Sequence, residues 1–283
     1  MVYTWANIPS EAVILRADGT TILVQRLGEG MTRLVYLPFD DSEVVFKVEL
    51  EFRKDGNPAT LTNQAEVDIM TKVPSQCRLG FRTVVEEIQI LGKWDVPHSA
   101  TMMVVERFER GLLAEVQHHL EHRTYPELAH IMRMAIHSVL DMANSGITIS
   151  DISLCSMCYH KGLVRIADWV CGYVNAGITK LRQCFKTIVQ NVARAVGPDK
   201  MDFEPILRVE SAYWGNVLDT PQLRNAIDNV APFVVPLSIP AAIIRSATSA
   251  VVAQHETTSS DDVRSTASEK GKGRTLGTRP LGI

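Results

Sequence analysis

The sequence lacks a surplus of charge of either sign, a signal-like start and an unbroken apolar run. Its 283 residues carry 29 Lys and Arg against 32 Asp and Glu, a formal net charge of −3. Without excess positive charge there is no broad electrostatic footprint for DNA or RNA, and nucleic acid is not expected as a partner. Residues 1–10 lack the basic stretch and apolar run of a secretory signal. Five cysteines, Cys77, Cys155, Cys158, Cys171 and Cys184, are an odd set. Together these features argue for free thiols over a disulfide framework and for an intracellular, cytoplasmic protein. The most apolar stretch, Phe233 to Ala253, is interrupted by Pro236, Pro240 and Arg245. Two helix breakers and a charge argue against a membrane span, so no membrane partner is expected.

What is present is a globular composition, 46% hydrophobic and 22% charged, in a chain long enough to bury one large core or two small ones. From Glu11 to Leu50 the pattern predicts strands: Val13 to Arg16, Thr21 to Leu27, Arg33 to Leu37 and Val44 to Leu50, separated by turn residues in the manner of an antiparallel meander. Asn57-Pro58 opens a predicted helix carrying Leu61, Ala65 and Ile69 and ending near Val73-Pro74. Strand character returns over Phe81 to Ile90 and Thr101 to Glu106, with a polar turn at Gly92 to Ser99. Beyond Gly111 the spacing is helical: Leu112 to His122, Tyr125 to Ser145, Thr179 to Val196 and Thr220 to Asn229. From Gln254 onward almost no large apolar residue remains, and a disordered tail is expected there, with Ser259, Ser260, Ser265 and Ser268 as hydroxyls open to modification.

Several residues on these elements carry chemistry. Gly28 and Gly30 end one strand, Val35 lies in the next, and Lys47 sits in the third within Val44-Val45-Phe46-Lys47. Paired glycines let a backbone approach phosphates, an aliphatic residue can cover a purine, and a strand lysine can meet phosphate charge. Glu66 falls mid-helix. Met102 to Gly111 reads as a strand running into a charged linker. Ser145-Gly146-Ile147-Thr148-Ile149-Ser150-Asp151 follows the long helix, and Leu163-Val164-Arg165-Ile166-Ala167-Asp168-Trp169-Val170 follows that.

In this order and on these element types the run resembles the protein-kinase-like superfamily, as a divergent member, over roughly Thr21 to Val170. The resemblance implies a bilobal α+β fold. A strand-rich N-lobe would occupy residues 1–106, a helical C-lobe 107–240 and the tail 241–283, with a contracted activation segment because no Ala-Pro-Glu precedes the helix near Thr179. It implies ATP and Mg²⁺ as cofactors. Gly28, Gly30 and Val35 would cover the nucleotide, Lys47 would contact phosphate while paired to Glu66, and Val105, Glu106 and Phe108 would line the adenine edge. Asp151 matches the catalytic aspartate, while Asp168 and Ser156 occupy the metal positions.

The departures are specific. Ile149 and Ser150 replace His and Arg, Ser153 replaces Lys, Ser156 replaces Asn and Val170 replaces Gly. Two functions therefore stay open: transfer of the γ-phosphate to a Ser, Thr or small-molecule hydroxyl, or a catalytically impaired pseudokinase acting as an interaction scaffold. The protein substrate or partner is not named by any residue.

Other constellations are weaker. Cys155, Cys158, His160 and Cys171 lack the second half of a zinc motif and read as buried thiols. His118, His119 and His122 read as a solvated helix face. The chain has no Gly-x-Ser-x-Gly, and its glycine pair precedes a strand, which excludes the serine-hydrolase and Rossmann readings.

Overall fold

The structure, a computed structural model, describes residues 8–30, 33–51, 60, 62–91, 97–212 and 218–233. Six antiparallel strands form its first half: β1 Glu11–Arg16, β2 Thr21–Glu29, β3 Arg33–Pro38, β4 Val44–Leu50, β5 Glu86–Leu91 and β6 Pro97–Glu106. Between β1 and β2 the turn is held by Asp18, whose Oδ1 accepts from the Thr20 backbone at 2.9 Å and from its hydroxyl at 2.6 Å. Gly19 supplies the φ of +82° that this turn needs.

The bilobal arrangement expected from the sequence is corrected here. β1 pairs with β2 on one side and with β5 on the other, Val13 opposite Leu91 and Ile14 opposite Ile90, so the strands close into a six-stranded barrel in the order β1-β2-β3-β4-β6-β5. Closure removes the open edges that a meander would leave exposed, and the alternation of side chains then sorts every strand into an inside and an outside. Sequence patterning marked the strands but not the long-range pairing of β1 with β5.

The barrel interior is filled by Ile14, Val24, Leu34, Tyr36, Val48 and Ile90, all fully buried. Each such aliphatic side chain contributes about 1.5–3 kcal/mol relative to an exposed one. The opposite faces of β4 and β6 present Val45, Met103 and Val105, which join a second, larger core shared with the helical half of the chain.

Six helices are found among the described residues: α1 Asn63–Met70, α2 Leu112–Glu121, α3 Tyr125–Asn144, α4 Ile178–Val196, α5 Glu204–Ala212 and α6 Pro221–Asp228. α3 opens with a proline in its first turn and buries one face through Met132, Ile136 and Leu140. α4 stops at Gly197, whose φ is +94°, followed by Pro198. At α6 the Thr220 hydroxyl accepts from Leu223 N at 3.1 Å. α1 is shorter than its sequence pattern, ending at Met70, and the expected opening at Asn57-Pro58 and Leu61 lies outside the described residues. α5 went unmarked in the sequence because, at nine residues, it is too short for its helical spacing to stand out.

Among the described residues no helix is long and apolar enough to cross a membrane. The stretch from residue 234 to 253 and the tail at 241–283 lie outside the described residues, as does most of the turn expected at Gly92 to Ser99.

Candidate functional site

The outer face of the barrel positions the first part of the site. Register sets Gly28 opposite Val35, Val35 opposite Lys47 and Lys47 opposite Met103, one row running across β2, β3, β4 and β6. A register shift between Arg26 and Gly28 marks a bulge, which bends β2 just before Gly30. Gly30 N–H donates to Arg33 O at 2.8 Å, and residues 31–32 lie outside the described set.

Lys47 Nζ meets Glu66 Oε1 of α1 at 2.8 Å and donates to the Ala167 carbonyl, also at 2.8 Å. The second Glu66 oxygen, Oε2, accepts from Arg33 Nη1. Arg33 also donates to the Thr62 hydroxyl at 2.8 Å and lies 3.7 Å from Glu49 Oε1. Glu49 in turn accepts from Thr62 Oγ1 at 2.7 Å and from Asn63 N at 2.9 Å, which satisfies orphan N–H groups at the start of α1. Two cations and two carboxylates thus form a neutral, buried cluster. Burial pushes the Glu66 carboxyl up, but the charges of Lys47 and Arg33 and their hydrogen bonds outweigh it and hold the group below the ordinary carboxylate range.

A hairpin places the second part. β7 Arg110–Gly111 pairs with β9 Met157–His160, and β9 is joined to β10 Leu163–Ile166 by Lys161 and Gly162 with φ of +50° and +75°, a two-residue turn whose twist matches the strands. The chain therefore returns beside Ser156, whose carbonyl accepts from Ala167 N at 2.8 Å. Asp168 is exposed there, its Oδ1 accepting from Val170 N at 3.2 Å. Trp169 is fully buried, donates from Nε1 to Ile166 O at 3.1 Å, and gives its backbone N–H to Glu66 Oε1 at 3.3 Å. Glu66 is thereby tied to both Lys47 and the segment that carries Asp168.

The third part comes from a short ribbon, β8 Thr148–Ile149 with β11 Gly172–Tyr173, extended by Ser150 N donating to Cys171 O at 3.1 Å. It lays residues 171–173 alongside 148–150. Asp151 is exposed at its end. Desolvation raises the half-buried Cys171 thiol, and the negative charges of Asp151 and Asp168 raise it further.

The remaining residues singled out in the sequence are placed differently. The Ser156 hydroxyl closes its own turn, donating to Ser153 O at 2.8 Å and accepting from Ser153 N at 2.9 Å. The Glu106 carboxylate accepts from Gly80 N at 2.9 Å and pairs with Lys161, with His160 at 3.0 Å and with Arg165 at 3.2 Å. Burial works against its charge, yet these donors hold Glu106 at about 2. Val105 is buried and bridges Phe81, while Phe108 packs half-buried on the larger core. Among the described residues no group of three or more His, Cys, Asp and Glu side chains is arranged to hold a metal ion. All five cysteines are free. His118 stacks on His122 with ring centroids 4.2 Å apart, whereas His119 turns to Glu115 at 3.4 Å.

Sequence reasoning missed Arg33 and Glu49. The period of two along a strand was the available signal: Arg33 lies two residues before Val35, and Glu49 two after Lys47, so all four share one face.

No protein-family model and no curated protein matches the sequence. Among solved structures the chain is similar to WbdD, seen in a co-crystal structure with the kinase inhibitor LY294002, at 15% identity and a TM-score of 0.48. The match covers 74% of this chain and 45% of that one, so the chain spans less than half the length of that protein. A likeness at this level establishes neither fold nor activity.

Proposed function

We propose that the outer face of the barrel and the two short ribbons beside it bind a magnesium–nucleoside triphosphate, ATP in the simplest case, and that Asp151 serves transfer of its γ-phosphate to a hydroxyl. The observation that carries this reading is the chain of contacts from Lys47 through Glu66 to the segment holding Asp168. Lys47 brings a cation held in place by a buried carboxylate, which suits a phosphate oxygen. Asp168, exposed on a braced turn, offers a carboxylate to a Mg²⁺ that would keep several waters. Gly28 and Val35 share the row with Lys47, and Val105 and Phe108 supply apolar surface. Asp151 would accept the proton of the attacking hydroxyl.

The scaffold reading has its own support. With its hydroxyl committed to a turn, Ser156 has little left for a second metal ion, and no lysine stands at Ser153. Binding and transfer can therefore be separated. Mg·ATP at about 100 times its dissociation constant should add about 2.7 kcal/mol of stability to the wild type, read as a thermal shift, and little to Lys47→Ala. Asp151→Asn should keep that shift and abolish transfer. A shift with no transfer in the wild type selects the scaffold, and no Mg²⁺-dependent shift at all overturns the nucleotide reading.

A further inference from the structure

Next to Ser150 lies a cavity of about 270 Å³ that the nucleotide reading leaves unused, lined by Thr148, Ile149, Ser150, Tyr173, Lys180, Gln183, Cys184 and Thr187. Its walls are the β8–β11 ribbon on one side and the first turns of α4 on the other. Ser150 is the residue before Asp151, so the cavity reaches the backbone that carries the proposed base. Lys180 is exposed, and its Nζ stands 5.3 Å from the centre of the Tyr173 ring with no carboxylate paired to it among the described ion pairs. The Ser150 and Thr187 hydroxyls and the Gln183 amide line the same cavity, together with Ile149 and the Cys184 thiol, which engages the buried Thr148 hydroxyl. Gln183 Nε2 donates to Thr187 Oγ1 at 3.4 Å, which orients both groups.

We infer that this cavity is the acceptor subsite, and that it takes a small hydroxylated compound bearing an anionic group. The inference rests on the nucleotide reading for its chemistry. Volume favours a small molecule: about 270 Å³ is less than the 300–1,000 Å³ of a drug-sized site. The short connection points the same way, since residues 169–177 alone separate Asp168 from α4 and leave little surface on which to lay a peptide. Lys180 selects the anion, Ile149 and the Tyr173 ring offer apolar surface to the carbon skeleton, the Ser150 and Thr187 hydroxyls and the Gln183 amide meet its hydroxyls, and Asp151, the residue after Ser150, would take the proton of the reacting one. In the step itself the acceptor oxygen bonds to the γ-phosphorus and its proton passes to the Asp151 carboxylate. The bond from that phosphorus to the β,γ-bridging oxygen breaks, and the nucleoside diphosphate leaves with the electron pair.

The test uses the full chain and glycerol 3-phosphate as the probe, with glycerol and a Ser/Thr peptide as comparators. Glycerol 3-phosphate should raise the melting temperature saturably, glycerol should not, and Lys180→Met should weaken the probe roughly tenfold, as expected for loss of a charge-assisted contact. Gln183→Phe, which fills the cavity, should abolish the shift. Labelled γ-phosphate from Mg·ATP should then appear on the probe and not on the peptide. A probe shift that survives both substitutions, no probe shift, or transfer to the peptide instead overturns the subsite. Failure of the nucleotide reading shows separately, as a wild type that Mg·ATP does not stabilise.

Discussion

β4 has two faces that do opposite things. Inward, Phe46, Val48 and Leu50 pack into an apolar barrel interior. Outward, Lys47 and Glu49 enter a charge cluster with Arg33 and Glu66, framed by Val45 of the larger core. The interior is stabilised by area removed from water and tolerates exchanges of similar volume. The outer cluster is stabilised only as a set, because each charge has given up water and depends on its partners. One strand thus supplies both a tolerant scaffold and an exacting site.

That contrast can be broken from the outer side first. Glu66→Gln leaves Lys47 and Arg33 facing Glu49 alone, and it should cost roughly 3–5 kcal/mol in urea unfolding while also removing Mg·ATP stabilisation. Next, Leu34→Ala in the barrel interior should cost roughly 2–5 kcal/mol, yet the folded fraction should bind Mg·ATP as before. Equal loss of binding in both variants would show that the two faces are not independent.

Acid sharpens the comparison further. Glu106 is held at about 2, below its ordinary 4.5, so its ionised form contributes stability that is complete above about 4.5 and is lost as pH falls toward 2. Glu66 is lowered too and works in the same direction. Unfolding followed across that range should show stability falling with pH, and Glu106→Gln should flatten part of the fall. The interior carries no ionised group among its clustered residues, so Leu34→Ala should leave the slope unchanged. The smallest effect belongs to neither face: Thr220→Ala should cost about 1 kcal/mol by removing the cap of α6, measured by thermal unfolding.

The strands of the first half and five of the six helices were legible in the sequence because alternation and helical spacing are local properties, sharpened by Pro126 and Gly197. Lys47, Glu66, Asp151 and Asp168 were singled out by their order along the chain, and the fold pairs the first two. Arg33 and Glu49 were passed over, although they share the face of Lys47, because a charged residue in a strand is ordinarily solvated. Glu106 was singled out for its place in the linker, and the role of its carboxylate, which knits β6 to the β9–β10 hairpin, had no signal in the sequence.

By itself the sequence determined where most strands and helices of the described residues run and which positions along them alternate between faces, since these follow from neighbours a few positions apart. Only the tertiary structure decided that β1 closes onto β5, that Glu66 is shared by two cations, and that the backbone of Trp169, next to Asp168, is tied to that same Glu66. Those outcomes join residues tens of positions apart. Their free energy comes from desolvation and pairing in three dimensions, and no local pattern records it.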